Sequence, residues 1–290
     1  MSDAESRELM VLEQPDAVRA RILSAQRQGE RVGLVPTMGA LHAGHLRLVE
    51  EARKTCDFVV VTIFVNPTQF GPQEDLEQYP RPFQDDLEKC RAAGVDVIFH
   101  PTPEVMYPPE FQTTVSVGKL ARVWEGAHRP DHFDGVTTVV LKLFSIAPAD
   151  VAFFGRKDYQ QQLIIRRMVR DLNLPIEIET VETVREADGL ALSSRNVYLS
   201  PDERRSALIL SESLQLADDQ LAAGETDVSR VRQAMHDRFR GDPQVNLDYA
   251  TIADPHTLIE LTEAQLEMVA LVAARVGQTR LIDNRLIHLS

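Results

Sequence analysis

Eight consecutive residues, Phe58-Val59-Val60-Val61-Thr62-Ile63-Phe64-Val65, carry a single polar side chain. A strand with one wet face alternates apolar and polar residues. This run does not, so it belongs in a sheet covered on both sides. Val32 to Val35, Val95 to Phe99, Val151 to Phe154 and Ile176 to Val181 are also short, β-branched or aromatic, and without a clean period of two. Helical patterns separate them at Asp16 to Gln28, His45 to Cys56, Gln84 to Ala93, Val136 to Ala147 and Tyr159 to Leu172. The β-α-β alternation predicts an open, doubly wound parallel sheet. Ligands of such sheets sit beyond the carboxyl ends of the strands. Pro36 to His45, Asn66 to Tyr79 and Gly155 to Asp158 all follow strands, which predicts that three polar segments converge on one rim.

The texture changes after about residue 182. Ser200-Pro201-Asp202-Glu203 is a helix start, with Ser200 as cap, Pro201 at the first helical position and Glu203 completing a capping box. A helical region to Ala223 stops at Gly224, and a second helix spans Asp227 to Arg238. Strand-like runs follow at Leu247 to Ile252, Met268 to Ala274 and Thr279 to Ile282. Helices first and strands after predict a smaller α+β domain, with the boundary between Glu179 and Arg185. The expected division is 1–180 for the parallel-sheet domain and 181–290 for the smaller one.

With 290 residues, 43% of them hydrophobic, the chain is long enough for one large or two ordinary domains with real cores. A formal net charge of -13 argues against general affinity for nucleic acid, because no excess of Lys and Arg is present to displace counterions from phosphate. Met1 to Glu8 is polar and acidic, unlike a signal peptide, and no segment approaches membrane-spanning length, so a cytoplasmic protein is expected. Cys56 and Cys90 lack metal-type spacing and are read as ordinary reduced thiols.

His42-Ala43-Gly44-His45 stands where the second strand gives way to a helix. A helix start there points unpaired N–H groups and a positive dipole end at whatever lies above the strand, and phosphate suits it. Two histidines three apart share one face of the first turn, so both reach one triphosphate. The intervening glycine leaves room for close approach. A chance His-x-Gly-His arises in roughly one such chain in a hundred. The bland reading is a pair of histidines that cap and solvate a helix start.

Three other segments carry chemistry. Asn66-Pro67-Thr68-Gln69 offers amides for a small polar substrate, or is a plain Asn-Pro turn. In Gly155-Arg156-Lys157-Asp158-Tyr159-Gln160-Gln161 a lysine just after a buried strand suits a phosphate oxygen, although a Lys-Asp pair is commonly a solvated surface feature. Ser193-Ser194-Arg195-Asn196 brings two hydroxyls and a guanidinium, as a phosphate clasp or a polar turn would.

Taken in order, Pro36-Thr37-Met38-Gly39-Ala40-Leu41-His42-x-Gly44-His45, Phe64-Val65-Asn66-Pro67-x-Gln69-Phe70, Gly155-x-Lys157-Asp158-Tyr159-Gln160-Gln161 and Ser193-Ser194-Arg195-Asn196 resemble the pantothenate synthetase, or pantoate–beta-alanine ligase, family across essentially the whole chain. The resemblance implies a Rossmann-like domain of the His-x-Gly-His nucleotidyltransferase group. Because Ser193 to Asn196 lie beyond the domain boundary and the histidines before it, the smaller domain is expected to act as a lid. It implies that ATP, bound with Mg2+, reacts with (R)-pantoate to give pantoyl adenylate and pyrophosphate, and that β-alanine then displaces AMP to give pantothenate. Its site residues carry over as follows. His42, His45, Lys157, Ser194 and Arg195 surround the triphosphate, with Pro36, Thr37, Gly39, Gly44, Gly155, Asp158 and Ser193 in the nucleotide site. Gln69, Gln161 and Met38 hold pantoate. Asn66, Tyr79, Arg129 and His132 lie around the second substrate or the gate over it, and Asp85 is the magnesium-side carboxylate, although Asp85-Asp86 also reads as an acidic first helical turn. A homodimer is implied as well. Leu192 stands where the family usually has methionine, and Arg156 where an acidic residue is common.

Two readings from other classes stay open at this stage. His42, His45, His128 and His132 have spacings that suit a transition-metal hydrolase. A non-catalytic nucleotide sensor is the other, since a fold alone never establishes turnover.

Overall fold

A computed structural model describes residues 8–72 and 74–289. Met1 to Arg7, read above as part of a polar start, and Gln73 lie outside the described residues. The elements run β1 (Met10–Leu12), α1 (Pro15–Arg27), β2 (Val32–Thr37), α2 (Ala43–Thr55), β3 (Phe58–Ile63), α3 (Phe83–Ala92), β4 (Val97–Phe99), α4 (Pro103–Met106), α5 (Glu125–His128), α6 (His132–Ile146), β5 (Val151–Gly155), α7 (Tyr159–Asp171) and β6 (Glu177–Val181). Then follow α8 (Pro201–Ser206), α9 (Leu208–Ala222), α10 (Val228–Arg238), β7 (Val245–Ala253), β8 (Glu267–Val276) and β9 (Thr279–His288).

Two compact units result. The first takes the described residues up to 121, with 129–156 and 161–182; the second takes 122–128, 157–160 and the residues from 183 on. The division is therefore more than one cut at residue 180.

In the first unit six parallel strands lie in the order β1-β4-β3-β2-β5-β6. All six residues of β3 are buried, as the unalternating run demanded. Phe58 and Val60 join Val32, Leu34, Ala152 and Phe154 in a core with α1, α6 and α7. Val59, Val61 and Ile63 turn the other way, to a core with Val35, Phe153 and the α2 residues Leu48, Val49 and Ala52. The two faces are those of an alternating strand with helices on each. β6 departs from the sequence reading: only Ile178 is buried, and Glu177 and Glu179 are exposed, because the strand is an edge. β2 also runs past Pro36 to Thr37. Its pairing with β5 ends at Leu34, so proline's missing N–H interrupts no ladder.

β2 is the switch point, with β3 on one side and β5 on the other. Chain connections leave in opposite directions there, which opens the crevice where such sheets bind ligands.

In the second unit β7, β8 and β9 form an antiparallel sheet. Leu210, Leu214, Ala217 and Leu221 of α9 and Val228, Val231 and Met235 of α10 pack on its face with Ala250, Ala270, Val272 and Leu281. The expected helical region is two helices that break at Ala207, and the predicted capping box forms: Glu203 N donates to Ser200 Oγ at 3.3 Å, and Ser200 N to Glu203 Oε2 at 2.8 Å. Residues 122–128 are tied in by Trp124 Nε1, which donates to Leu258 O at 2.9 Å. Buried Glu125 adds an ion pair with Arg280 at 2.5 Å, and Asp248 shares that guanidinium at 2.7 Å. Among the described residues no helix is long and apolar enough to cross a membrane.

Candidate active site

The turn between β2 and α2 is built backwards on itself. Gly39 and Ala40 have φ of 87° and 51°, and a Cβ on Gly39 would meet Asp86 Oδ2 and Ile63 Cγ2 at 3.0 Å, so glycine is required there. Thr37 Oγ1 donates to Thr62 O at 2.6 Å and accepts from Gly39 N at 3.1 Å. From α3, buried Asp86 accepts the N–H of Ala40 at 2.8 Å and of Leu41 at 2.7 Å, and Lys89 Nζ donates to Leu41 O at 2.8 Å. Burial raises the Asp86 carboxyl against the opposing pull of these two amides.

His42 is the N-cap of α2 and His45 its third residue, so the helix starts earlier than the sequence reading placed it. Gly44 N donates to His42 Nδ1 at 3.1 Å, and His42 N to His45 Nδ1 at 3.4 Å, a reciprocal cap made of imidazoles. The ring centroids lie 4.1 Å apart. A Cβ on Gly44 would sit 2.8 Å from His42 Cε1, so this glycine makes room for the ring itself. With both Nδ1 atoms accepting, the neutral rings carry their protons on Nε2.

Asn66 lies just past β3, where it caps the 3-10 turn Pro67–Gln69, and is almost wholly buried. Its Oδ1 accepts from Tyr107 OH at 2.8 Å and Thr68 Oγ1 at 2.9 Å, and its Nδ2 donates to Gln69 Oε1 at 3.1 Å and Gly135 O at 3.2 Å. Asn66 thus orients Gln69, whose Nε2 lies 3.2 Å from Met38 Sδ. Gly135 lets α6 press on this turn: a Cβ there would lie 2.3 Å from Thr68 O.

Arg129 holds Glu74 in a two-pronged pair at 2.8 and 2.6 Å, with His132 Nε2 3.1 Å from Arg129 Nη1 and His132 Nδ1 2.8 Å from Gln69 O. Burial opposes ionisation of Glu74, but the hydrogen bond and charge of Arg129 prevail and keep its carboxyl below the usual range. Tyr79 is buried edge-on against Phe70, with centroids 6.0 Å apart. Gln161 belongs to the same unit, as do Pro36 and Gly155, where a Cβ would meet open space. Asp85 is exposed in the first turn of α3.

Lys157, Asp158, Ser193, Ser194 and Arg195 belong to the second unit. Lys157 Nζ lies 3.6 Å from Asp158 Oδ1. Ser193 caps the 3-10 turn Ser194–Tyr198, its Oγ accepting Arg195 N at 3.2 Å. Of the two departures, Arg156 is ion-paired with Glu182, and Leu192 donates its N–H to Val184 O at 3.0 Å. Among the described residues no three His, Cys, Asp or Glu side chains gather as a metal-ligand group. His128 rests against Tyr249 instead, with centroids 5.5 Å apart.

Sequence reasoning missed Asp86, Lys89, Glu74 and Gly135. Asp86 was visible only as helix-start acidity; the rest act through folded contacts.

A parallel doubly wound sheet with an imidazole-capped helix at its switch-point strand defines a Rossmann-like α/β protein with a small antiparallel domain. Within that class, the family model for pantoate-beta-alanine ligase matches residues 10–286. The chain is 52% identical over 274 residues to the pantothenate synthetase of Moorella thermoacetica, covering 94% of this chain and 97% of that one. It is 54% identical over 273 residues to that of Rhodopirellula baltica, covering 93% and 96%. A crystal structure of pantothenate synthetase from Thermus thermophilus superposes with a TM-score of 0.91 at 46% identity over 95% of this chain and 98% of that one. A Francisella tularensis pantoate-beta-alanine ligase, complexed with beta-gamma ATP and beta-alanine, gives 0.80 at 31% identity over 96% and 98%. The chain belongs to the pantoate–beta-alanine ligase family, and is an enzyme of that kind.

Proposed function

We propose that the protein joins (R)-pantoate to β-alanine with ATP, by way of pantoyl adenylate, and releases pyrophosphate and then AMP. The observation that carries this reading is the reciprocal His42–His45 cap at the start of α2, 4.1 Å between rings. Their Nε2–H groups and the helix start supply donors where the triphosphate becomes more negative. The pantoate carboxylate is nucleophilic without a dedicated base, so the protein need only align it with the α-phosphorus and support the departing pyrophosphate.

Gln69 and Gln161 bind pantoate through amides that both donate and accept, with Met38 as the apolar wall. Asn66 acts by orienting Gln69. Arg129, His132 and Tyr79 serve the β-alanine side. Lys157, Ser193, Ser194 and Arg195 hold phosphate oxygens, Asp158 the ribose, and Pro36, Thr37, Gly39, Gly44 and Gly155 shape the nucleotide site. Bound alongside ATP, Mg2+ would offset phosphate charge. An ion held chiefly by phosphates fits a chain whose described residues have no ready ligand cluster, and exposed Asp85 offers one carboxylate.

The second unit acts as a lid that excludes water from a hydrolysable acyl adenylate. The family resemblance supports a cytoplasmic homodimer. The experiment is mass spectrometry of the protein mixed with magnesium-ATP and pantoate: pantoyl adenylate is expected, and ATP bound without it would mark a sensor.

A further inference from the structure

We propose that Asp283 and Asn284, adjacent on β9, are positioning residues that fix Lys157 and the Ser193–Asn196 loop in one frame. This rests on the reading that Lys157 and that loop hold the triphosphate. Both residues are nearly solvent-free, in a strand whose neighbours Leu281 and Ile287 are core. Adjacent strand positions face opposite ways, so each serves a different segment. Asn284 Nδ2 donates to Lys157 O at 2.8 Å, across 127 residues of chain. Asp283 receives both arms of Arg185, at 2.7 and 2.9 Å, and also takes the Asn284 N–H at 2.7 Å.

Arg185 opens the turn that leads to the serine loop. It bridges to Ala191, its Nη1 donates to Gly189 O at 3.0 Å, and Asn196 at the far end donates to Glu186 Oε1 at 2.9 Å and Ala191 O at 3.1 Å. Two motifs some forty residues apart in sequence are thereby anchored to one dipeptide. Cohesion alone does not explain the choice, because apolar residues often replace a buried ion pair without loss of stability. The consequence is mechanical: Lys157 is held in one frame with the serine loop, although it lies only two residues past Gly155, the end of β5 in the parallel sheet.

The test is a kinetic cycle on the full chain, read as pantoate-dependent ATP–pyrophosphate exchange. Asn284→Ala is expected to lower kcat/KM for ATP by about 10- to 100-fold, as a misplacement near 1 Å does, and to leave the pantoate KM unchanged. In a Lys157→Ala background the same change should cost under about 2-fold, because the two act as one unit. Equal losses in both backgrounds, or an unchanged kcat/KM for ATP, would overturn the proposal. Asn284→Asp keeps the shape and removes the donor, and should behave like Asn284→Ala. If neither variant folds, the dipeptide is a folding element and the proposal fails. If the unsubstituted protein gives no exchange, the ligase reading fails separately. ATP affinity by calorimetry then decides the positioning role, with weaker binding to Asn284→Ala expected and equal binding contradicting it.

Discussion

Asp86 accepts the backbone N–H of Leu41 at 2.7 Å, with the second carboxylate oxygen on Ala40, so one buried side chain of α3 fixes the turn from which both histidines are launched. Asp86→Ala would leave two amides of a left-handed turn without their acceptor. A loss of about 2–5 kcal/mol in unfolding free energy is expected from orphaned buried donors, measured by urea denaturation. Exchange activity of the folded fraction should fall as well. Stability within about 0.5 kcal/mol of the parent, on the order of a surface change, would contradict this role.

His42→Ala and His45→Ala separate capping from chemistry. Loss of a cap costs about 1 kcal/mol, whereas loss of a donor to developing phosphate charge costs about 100- to 1000-fold in turnover. Each variant should therefore unfold only slightly earlier than the parent and lose nearly all exchange. A variant that keeps its exchange rate would remove the histidines from the site.

Gly135→Ala tests the contact beneath Gln69. The added methyl would fall 2.3 Å from Thr68 O, so α6 or the Asn66–Gln69 turn must move. Overpacking of this kind costs about 1–3 kcal/mol, and displacement of Gln69 should raise the pantoate KM with little change in the ATP KM. Steady-state exchange at varied pantoate and ATP distinguishes the two.

Cys90 is buried, and its thiol is pushed up to about 12 by burial first and by the charge of Asp86 second. A folded-state value above the unfolded one stabilises below the unfolded thiol's range and is lost as pH rises through the folded value. Unfolding midpoints should fall between about pH 9 and about pH 12, and less steeply in Cys90→Ala. In the native state neither Cys90 nor Cys56, also raised by burial, should react with iodoacetamide at about pH 8. Rapid modification of either would contradict the packing around them.

Much of the first unit was legible because its sheet is covered on both faces. Near-continuous apolar runs such as Phe58–Ile63, flanked by helical patterns, read as strands buried on both faces. β1, three residues long at the edge, leaves too short a pattern to read. The histidine pair was legible because a helix start is a local event, and its cap follows from residues 42–45 alone. The supports were not. Asp86 meets Leu41 across 45 residues and Asn284 meets Lys157 across 127, and no periodicity records such pairings. Assignment of 157–160 to the second unit is lost for the same reason: the segment follows a strand of one unit and is bonded to the other.

The most direct measurement is ATP–pyrophosphate exchange with labelled pyrophosphate, run with pantoate alone, β-alanine alone, both and neither. Exchange that requires pantoate and proceeds without β-alanine is expected, and it should fall by about 100- to 1000-fold in His45→Ala. Exchange that is absent with pantoate, or that requires β-alanine, would contradict activation of the pantoate carboxylate at the imidazole-capped start of α2.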